Sequence, residues 1–261
     1  MTNSTAGSGT NTSERVRSFL VLLATLGTIA FNWLATTGAI NGSTPAEISA
    51  KYPTLVTPAD WGFTIWSLIY LCLLAFCVYQ LLHSQIERLR PIRSIYIASC
   101  VLNCAWIYLW QYEVIVGCFA AILILWLVLL VISAKLKGVS GLGLAETWFL
   151  YAPFGLYFGW VTAAALVNFA VVLLYLGRMP EGNSALALAS GLLILGAVIG
   201  VLVRIKFRNF FFPIPIAWAA TGIAVKNSSE TTIVVVSALV LVTALVTAGS
   251  VVTALKDSTS E

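Results

Sequence analysis

Between Pro153 and Asn168 the chain reads "PFGLYFGWVTAAALVN". The stretch holds no Asp, Glu, Lys or Arg and sits inside an uncharged run from Thr147 to Leu176. About 20 apolar helical residues cross a hydrocarbon core about 30 Å thick, so this run can span a bilayer with residues to spare. On a helix, Tyr157, Trp160, Ala164 and Asn168 fall on successive turns of one face. An asparagine at that depth is costly without a partner, which turns the stripe toward protein rather than lipid. The fold class that follows is an all-α membrane protein with this helix at its centre.

The rest of the chain agrees. Hydrophobic residues make up 60% and charged residues 9%, with a mean hydropathy of +0.96, against roughly 25% charged residues in a soluble domain. Eight runs bounded by charges or turn residues read as spans. They are Phe19 to Gly38, Trp61 to Leu82, Ser94 to Tyr112, Val114 to Ala134, Thr147 to Leu176, Ala185 to Val203, Phe210 to Val225 and Thr232 to Leu255. Pro153 is expected to separate an interfacial start from the fifth helix proper. The seventh run is short and opens on Pro213 and Pro215.

Charge sets an orientation. Eleven of the fourteen basic residues fall in alternate loops, among them Arg88, Arg90 and Arg93, and only Lys51, Arg178 and Lys226 fall on the opposite side. By the positive-inside rule the N-terminus is cytoplasmic. The excess of positive charge is thus explained by topology, and nucleic acid is not an expected partner. Residues 1–16 read as a disordered polar tail, and the first run reads as a retained span rather than a cleaved signal. The sequons at Asn41 and Asn227 carry no weight by themselves.

Conventional catalytic and metal chemistry has little to stand on. Cys100 and Cys104 share a helix face, but a structural metal site would want further Cys or His ligands, so packing is the better reading for all five cysteines. The single histidine, His83, lies at a helix end. No catalytic residue and no metal ligand is assigned. What remains is aromatic and amide. Asn103 and Trp106 in "LNCAW" are three apart on the third span, and Trp66 and Tyr70 in "TPADWGFTIWSLIY" lie one turn apart on the second. Interhelical hydrogen bonding alone would also explain the two asparagines. Trp61 suits the interface as an anchor. Gly155 and Gly159, like Gly196 and Gly200, are spaced to let helices approach closely.

"PADWGFTIWSLIY", "LNCAW" and "YFGWVTAAALVN" occur in the order and at the helix positions of the tryptophan-rich sensory protein family, also called the translocator protein or peripheral benzodiazepine receptor family. The resemblance covers about Phe19 to Leu176. The chain departs from the family in its lone Pro58, where the family has paired prolines, and in Phe63, which precedes Trp66 by three residues rather than four. The resemblance implies a five-helix unit over 17–177 whose first loop, Ile40 to Ala59, lids a pocket for porphyrins and related flat ligands. Residues 183–256 are then additional transmembrane helices, expected to pack as their own unit. The implied ligand-binding residues are Trp66, Tyr70, Asn103, Trp106, Tyr157, Trp160, Ala164 and Asn168. Val172, Tyr175 and Arg178 also match a degenerate sterol-contact pattern of low specificity.

Three functions stay open on these grounds: a ligand-binding sensor or regulator, a carrier of a small amphipathic molecule, and a light-dependent porphyrin-degrading enzyme. The sensor is favoured, because no mid-membrane charge is present to couple transport and no acid–base or nucleophile set is present for conventional catalysis. No cofactor is required, and a porphyrin-type molecule is the candidate ligand. The expected partners are the lipid bilayer, a hydrophobic small molecule and a second copy of the chain as a homodimer. A bacterial source would place the protein in the inner membrane.

Overall fold

The computed structural model describes residues 6–82, 89–137 and 143–258, with side chains described from 13 to 249 within those ranges. His83, Gln85 and Arg88 lie outside the described residues. Helix α1 (Ala6–Thr36) leads to a short helix α2 (Pro45–Lys51) in the lid loop. A 3-10 turn, Asp60–Thr64, runs into α3 (Ile65–Leu82). Helices α4 (Arg90–Gln111) and α5 (Ile115–Lys137) follow. One helical turn, α6 (Leu144–Glu146), and a π-helical turn, Thr147–Tyr151, precede α7 (Ala152–Tyr175). The chain closes with α8 (Gly182–Phe207), α9 (Pro213–Lys226) and α10 (Thr231–Ser258). No strand occurs among the described residues.

Helix α7 is the axis of the bundle. Every residue from Ala152 to Ala163 is buried, and α3, α5, α8 and α9 all pack on it. A helix apolar on every side belongs in a core, and the run read at the outset occupies that position. Pro153 lies at its start, just after the π turn, where a missing N–H costs little.

Among the described residues, seven helical segments are long and apolar enough to cross a bilayer. The short seventh run is not among them, since α9 has 14 residues and so covers about 21 Å at 1.5 Å per residue. The irregular segment 208–212 supplies the remaining depth. At one end Asn209 Nδ2 donates to Tyr151 O (3.1 Å), and at the other Asn227 Nδ2 donates to Leu55 O (3.2 Å) in the lid. The chain therefore traverses the bundle here as well, partly without helix. Irregular backbone at membrane depth survives only when protein satisfies it. Asn209 is buried, and its Oδ1 also accepts from Phe211 N (3.0 Å).

The glycines of α7 make room for that segment. A Cβ at Gly155 would come within 3.0 Å of the Asn209 amide, and one at Gly159 would come within 3.0 Å of Phe212 O. The pair receives an irregular crossing rather than a regular helix. The additional helices are consequently not a separate unit, contrary to the expectation from the linker at 177–184. Helix α9 packs on α7 and on the turn before α3, and Ala59 N donates to Gly222 O (3.0 Å).

The end of the bundle opposite the lid departs from expectation too. Arg93, counted above as a loop residue, belongs to α4 and is fully buried. Its guanidinium pairs with Glu14 Oε2 (2.6 Å) and Gln80 Oε1 (3.0 Å), while Gln80 Nε2 donates to Ser18 O (2.7 Å). Arg17 and Arg90 lie 3.2 and 3.7 Å from Glu14 Oε1. The helix thus begins at Ala6, within the segment expected to be a disordered tail. A buried guanidinium needs an anionic partner, and that need draws Glu14 into the fold.

Candidate functional site

A cavity of about 760 Å³ lies between α1, α3, α4 and α7 beneath the lid. Six of the residues expected to bind ligand line it: Trp66, Tyr70, Trp106, Trp160, Ala164 and Asn168. Trp66 is the hub. Its ring stacks on Tyr70 (5.4 Å, 16° between planes) and meets Trp106 at 6.0 Å and Trp160 at 6.3 Å. The one-turn spacing of Trp66 and Tyr70 puts both rings on one face of α3.

Asn103 and Tyr157 do not line the cavity. Tyr157 is buried behind Trp66, with ring centres 6.0 Å apart. Asn103 Oδ1 accepts from Asn32 Nδ2 (2.8 Å), which ties α4 to α1. Asn168 lines the wall, yet its amide is already engaged: Oδ1 accepts from Trp106 Nε1 (3.3 Å) and Nδ2 donates to Ala164 O (2.9 Å). Cys118 Sγ also reaches Asn168 Oδ1 (3.3 Å). Cys77 and Cys104 serve similar interhelical contacts, with Thr25 Oγ1 3.0 Å from Cys77 Sγ and Thr28 Oγ1 3.7 Å from Cys104 Sγ.

Two cavity groups are left over. Trp160 is 3% exposed and its Nε1–H has no hydrogen-bond partner among the described residues, nor does the buried hydroxyl of Tyr70. A buried donor without an acceptor costs about 1 to 3 kcal/mol. An acceptor brought within reach of either group would relieve that cost.

Several wall residues escaped the sequence reading. Asn32 on α1 could have been found by the argument used for Asn103, and Trp110 by its one-turn spacing from Trp106. Trp33 and Leu71 also line the cavity while being 64% and 65% exposed, so the wall between α1 and α3 reaches the outer surface of the bundle. Ala219 of α9 contributes from the C-terminal region, which no five-helix reading would include. Trp61 stays outside the cavity, edge-on to Trp218 at 4.9 Å, and Trp218 Nε1 donates to Gly62 O (2.8 Å).

The lid is clasped from two sides. Thr44 and Glu47 form a capping box at the start of α2. Lys51 Nζ (2.5 Å) and Tyr52 Oη (2.9 Å) both engage the Glu113 carboxylate in the α4–α5 turn. Asn41 Nδ2 donates to Gln111 O (2.8 Å) and Trp110 Nε1 to Pro45 O (3.2 Å). From the other side come the contacts of α9 with Leu55 and Ala59. Tyr175, from the sterol-contact pattern, places its ring 6.4 Å from that of Tyr52.

A family model described as TSPO-like protein matches residues 18–252. The chain belongs to that family. The match runs through α8, α9 and most of α10, so the C-terminal helices are part of what defines this TSPO-like protein. No curated protein and no solved structure matches the chain. With its seven long apolar helices, the TSPO-like protein is a multi-pass integral membrane protein.

The lid clasp has a pH signature. Hydrogen bonds from Lys51 and Tyr52 hold the Glu113 carboxyl below its ordinary value of 4.5. Burial and the Glu113 contact push Tyr52 up to about 12, so it remains a donor across the ordinary range. A carboxyl with a lowered folded pKa stabilises above its unfolded value and loses that contribution as pH falls through the folded one. Hydrogen-exchange protection of α2 should therefore be steady from neutrality to about pH 5 and decline below about pH 4.5. The decline should be about 1.4- to fivefold, as for an exposed pair worth roughly 0.2–1 kcal/mol. Glu47, lowered by its capping bonds to Thr44, contributes in the same direction. Glu113→Gln should lower protection at pH 7 and keep only the part of the acid response due to Glu47. Equal protection in the variant and the parent would remove Glu113 from the clasp.

Proposed function

We propose that this TSPO-like protein is a membrane receptor that binds a flat hydrophobic molecule, tetrapyrrole-like in shape, in the cavity under the lid. The single observation that carries the reading is the unpartnered indole N–H of Trp160 at the wall of an aromatic cavity. A volume of about 760 Å³ suits one small molecule, since ligand cavities run about 300–1,000 Å³. The rings around Trp66 offer stacking surface, and Trp160 Nε1 and Tyr70 Oη offer directional bonds. A sensing or regulatory role is favoured over an ion-coupled carrier because the wall residues at membrane depth carry no charge.

Quenching of tryptophan fluorescence by a panel of tetrapyrroles and smaller flat aromatics tests the reading. Trp160→Phe should weaken binding by about 1.5 to 2 kcal/mol, roughly ten- to thirtyfold, through lost stacking area and one lost hydrogen bond. Its melting point in detergent should hardly fall, because an unsatisfied donor is removed. Asn168→Leu should do the reverse and lower the melting point, since it strands Trp106 Nε1. Unchanged affinity in Trp160→Phe for every ligand that binds would overturn the assignment.

A further inference from the structure

Asp60 is the only Asp, Glu, Lys or Arg among the residues lining the cavity. It stands at the lid end, where the 3-10 turn begins, and it is exposed. Among the described residues it makes no hydrogen bond or ion pair. The helix start favours a carboxylate there through its backbone N–H groups, but that role leaves the carboxylate oxygens free. Lys51, the basic residue of the lid, is already paired with Glu113.

Two further observations point the same way. Five tryptophans, Trp33, Trp66, Trp106, Trp110 and Trp160, line the cavity, and indole faces attract cations. Alternation of the crossings puts Glu47, Asp60, Glu113, Glu181 and Glu230 at the lid end against Lys51, Arg178 and Lys226. That local excess of negative charge steers cations toward the mouth and repels anions. At the inner wall, Trp160 Nε1–H still requires an acceptor.

We propose that Asp60 makes the cavity selective for a cationic amphiphile: a flat aromatic ring system bearing a protonated amine that faces Asp60, with its rings against the tryptophan wall. This rests on the cavity being a ligand site, and it narrows the class of ligand. Anions of the same shape are disfavoured, because a second negative charge would stand beside an unpaired carboxylate.

A matched series tests it: 9-aminoacridine as the cation, acridine as the neutral form and acridine-9-carboxylate as the anion. Binding is read by tryptophan quenching near pH 7.5 in a non-ionic detergent, so that the micelle carries no charge. The cation should bind at least tenfold more tightly than acridine, about 1.4 kcal/mol, and the anion should be weakest. Asp60→Asn should bring the cation-to-neutral ratio below threefold and leave acridine affinity unchanged. Asp60→Glu should retain the preference, and Glu230→Gln, at the same end but not lining the cavity, should leave the ratio intact. If the three probes bind alike, or if Asp60→Asn keeps the full ratio, the selectivity proposal fails while the cavity remains a ligand site. If none of the three quenches while a tetrapyrrole does, this proposal fails and the ligand-site reading stands; if neither set quenches, both fail.

Discussion

Glu14→Ala is expected to cost about 3 kcal/mol of stability, measured as a lowered unfolding midpoint in detergent. Glu14 is the carboxylate to which the fully buried Arg93 is bonded at 2.6 Å, and it also faces Arg17 and Arg90. Breaking a buried pair by removing one partner costs about 3–5 kcal/mol, because the remaining charge stays buried without compensation. The lower end of that range applies, since Arg93 keeps its bond to Gln80 Oε1. Replacing both partners by apolar residues of similar size should recover much of the loss. Glu14→Leu with Arg93→Met should thus be more stable than Glu14→Ala alone. A single variant within about 1 kcal/mol of the parent would show that the network does not hold α1, α3 and α4 together.

Gly159→Ala should be comparably damaging for a different reason. Its new Cβ would lie under 3.0 Å from Phe212 O, a backbone atom, with Phe212 C at 3.1 Å and Pro215 Cδ at 3.2 Å. Side chains can rotate away, but a carbonyl between the buried Phe211 and Pro213 has little room to move. Overpacking of a tight core costs about 1–3 kcal/mol, and the backbone contact places this case at the upper end. Gly191→Ala is the control: it sits in α8 with nothing within 4 Å of the new Cβ. There the change should stabilise by up to about 1 kcal/mol through helix propensity. If the two variants melted alike, α9 and its irregular entry would not be packed on α7 as described.

Both effects involve residues whose type was visible in the chain and whose role was not. Gly155 and Gly159 were legible as a close-approach motif, but what approaches them is the irregular segment around Asn209 and Phe212 rather than a helix. Hydropathy windows register apolarity, and a crossing completed without helix is apolar in the same way. Arg93 was counted with the charges of a loop because arginines usually stay near water. The anionic partner that accompanies its burial, Glu14, lies 79 residues earlier in the chain.

The cavity divides along the same line. Trp66, Tyr70, Trp106, Trp160, Ala164 and Asn168 were named from helical spacing and from the resemblance of their motifs, and all six line one space. Asn103 and Tyr157 were named by the same reasoning and stand behind the wall. Spacing fixes which residues share a helix face, whereas the rotation of that helix against its neighbours fixes what the face meets. Asp60 and Ala219 gave no periodic signal at all. Each reaches the cavity through a contact distant in sequence, as when Trp218 Nε1 on α9 bonds Gly62 O in the turn that carries Asp60.

The sequence by itself determined the solvent, the seven spans that form long apolar helices and the family, because each follows from local composition or short motifs summed along the chain. Tertiary structure alone decided that α9 completes the cavity and holds the lid, that the Trp160 indole N–H is left without a partner among the described residues, and that one carboxylate stands at the mouth. Those outcomes depend on which polar groups meet across helices. In a bilayer core, where water cannot satisfy the remainder, pairing between elements far apart in the chain sets the result.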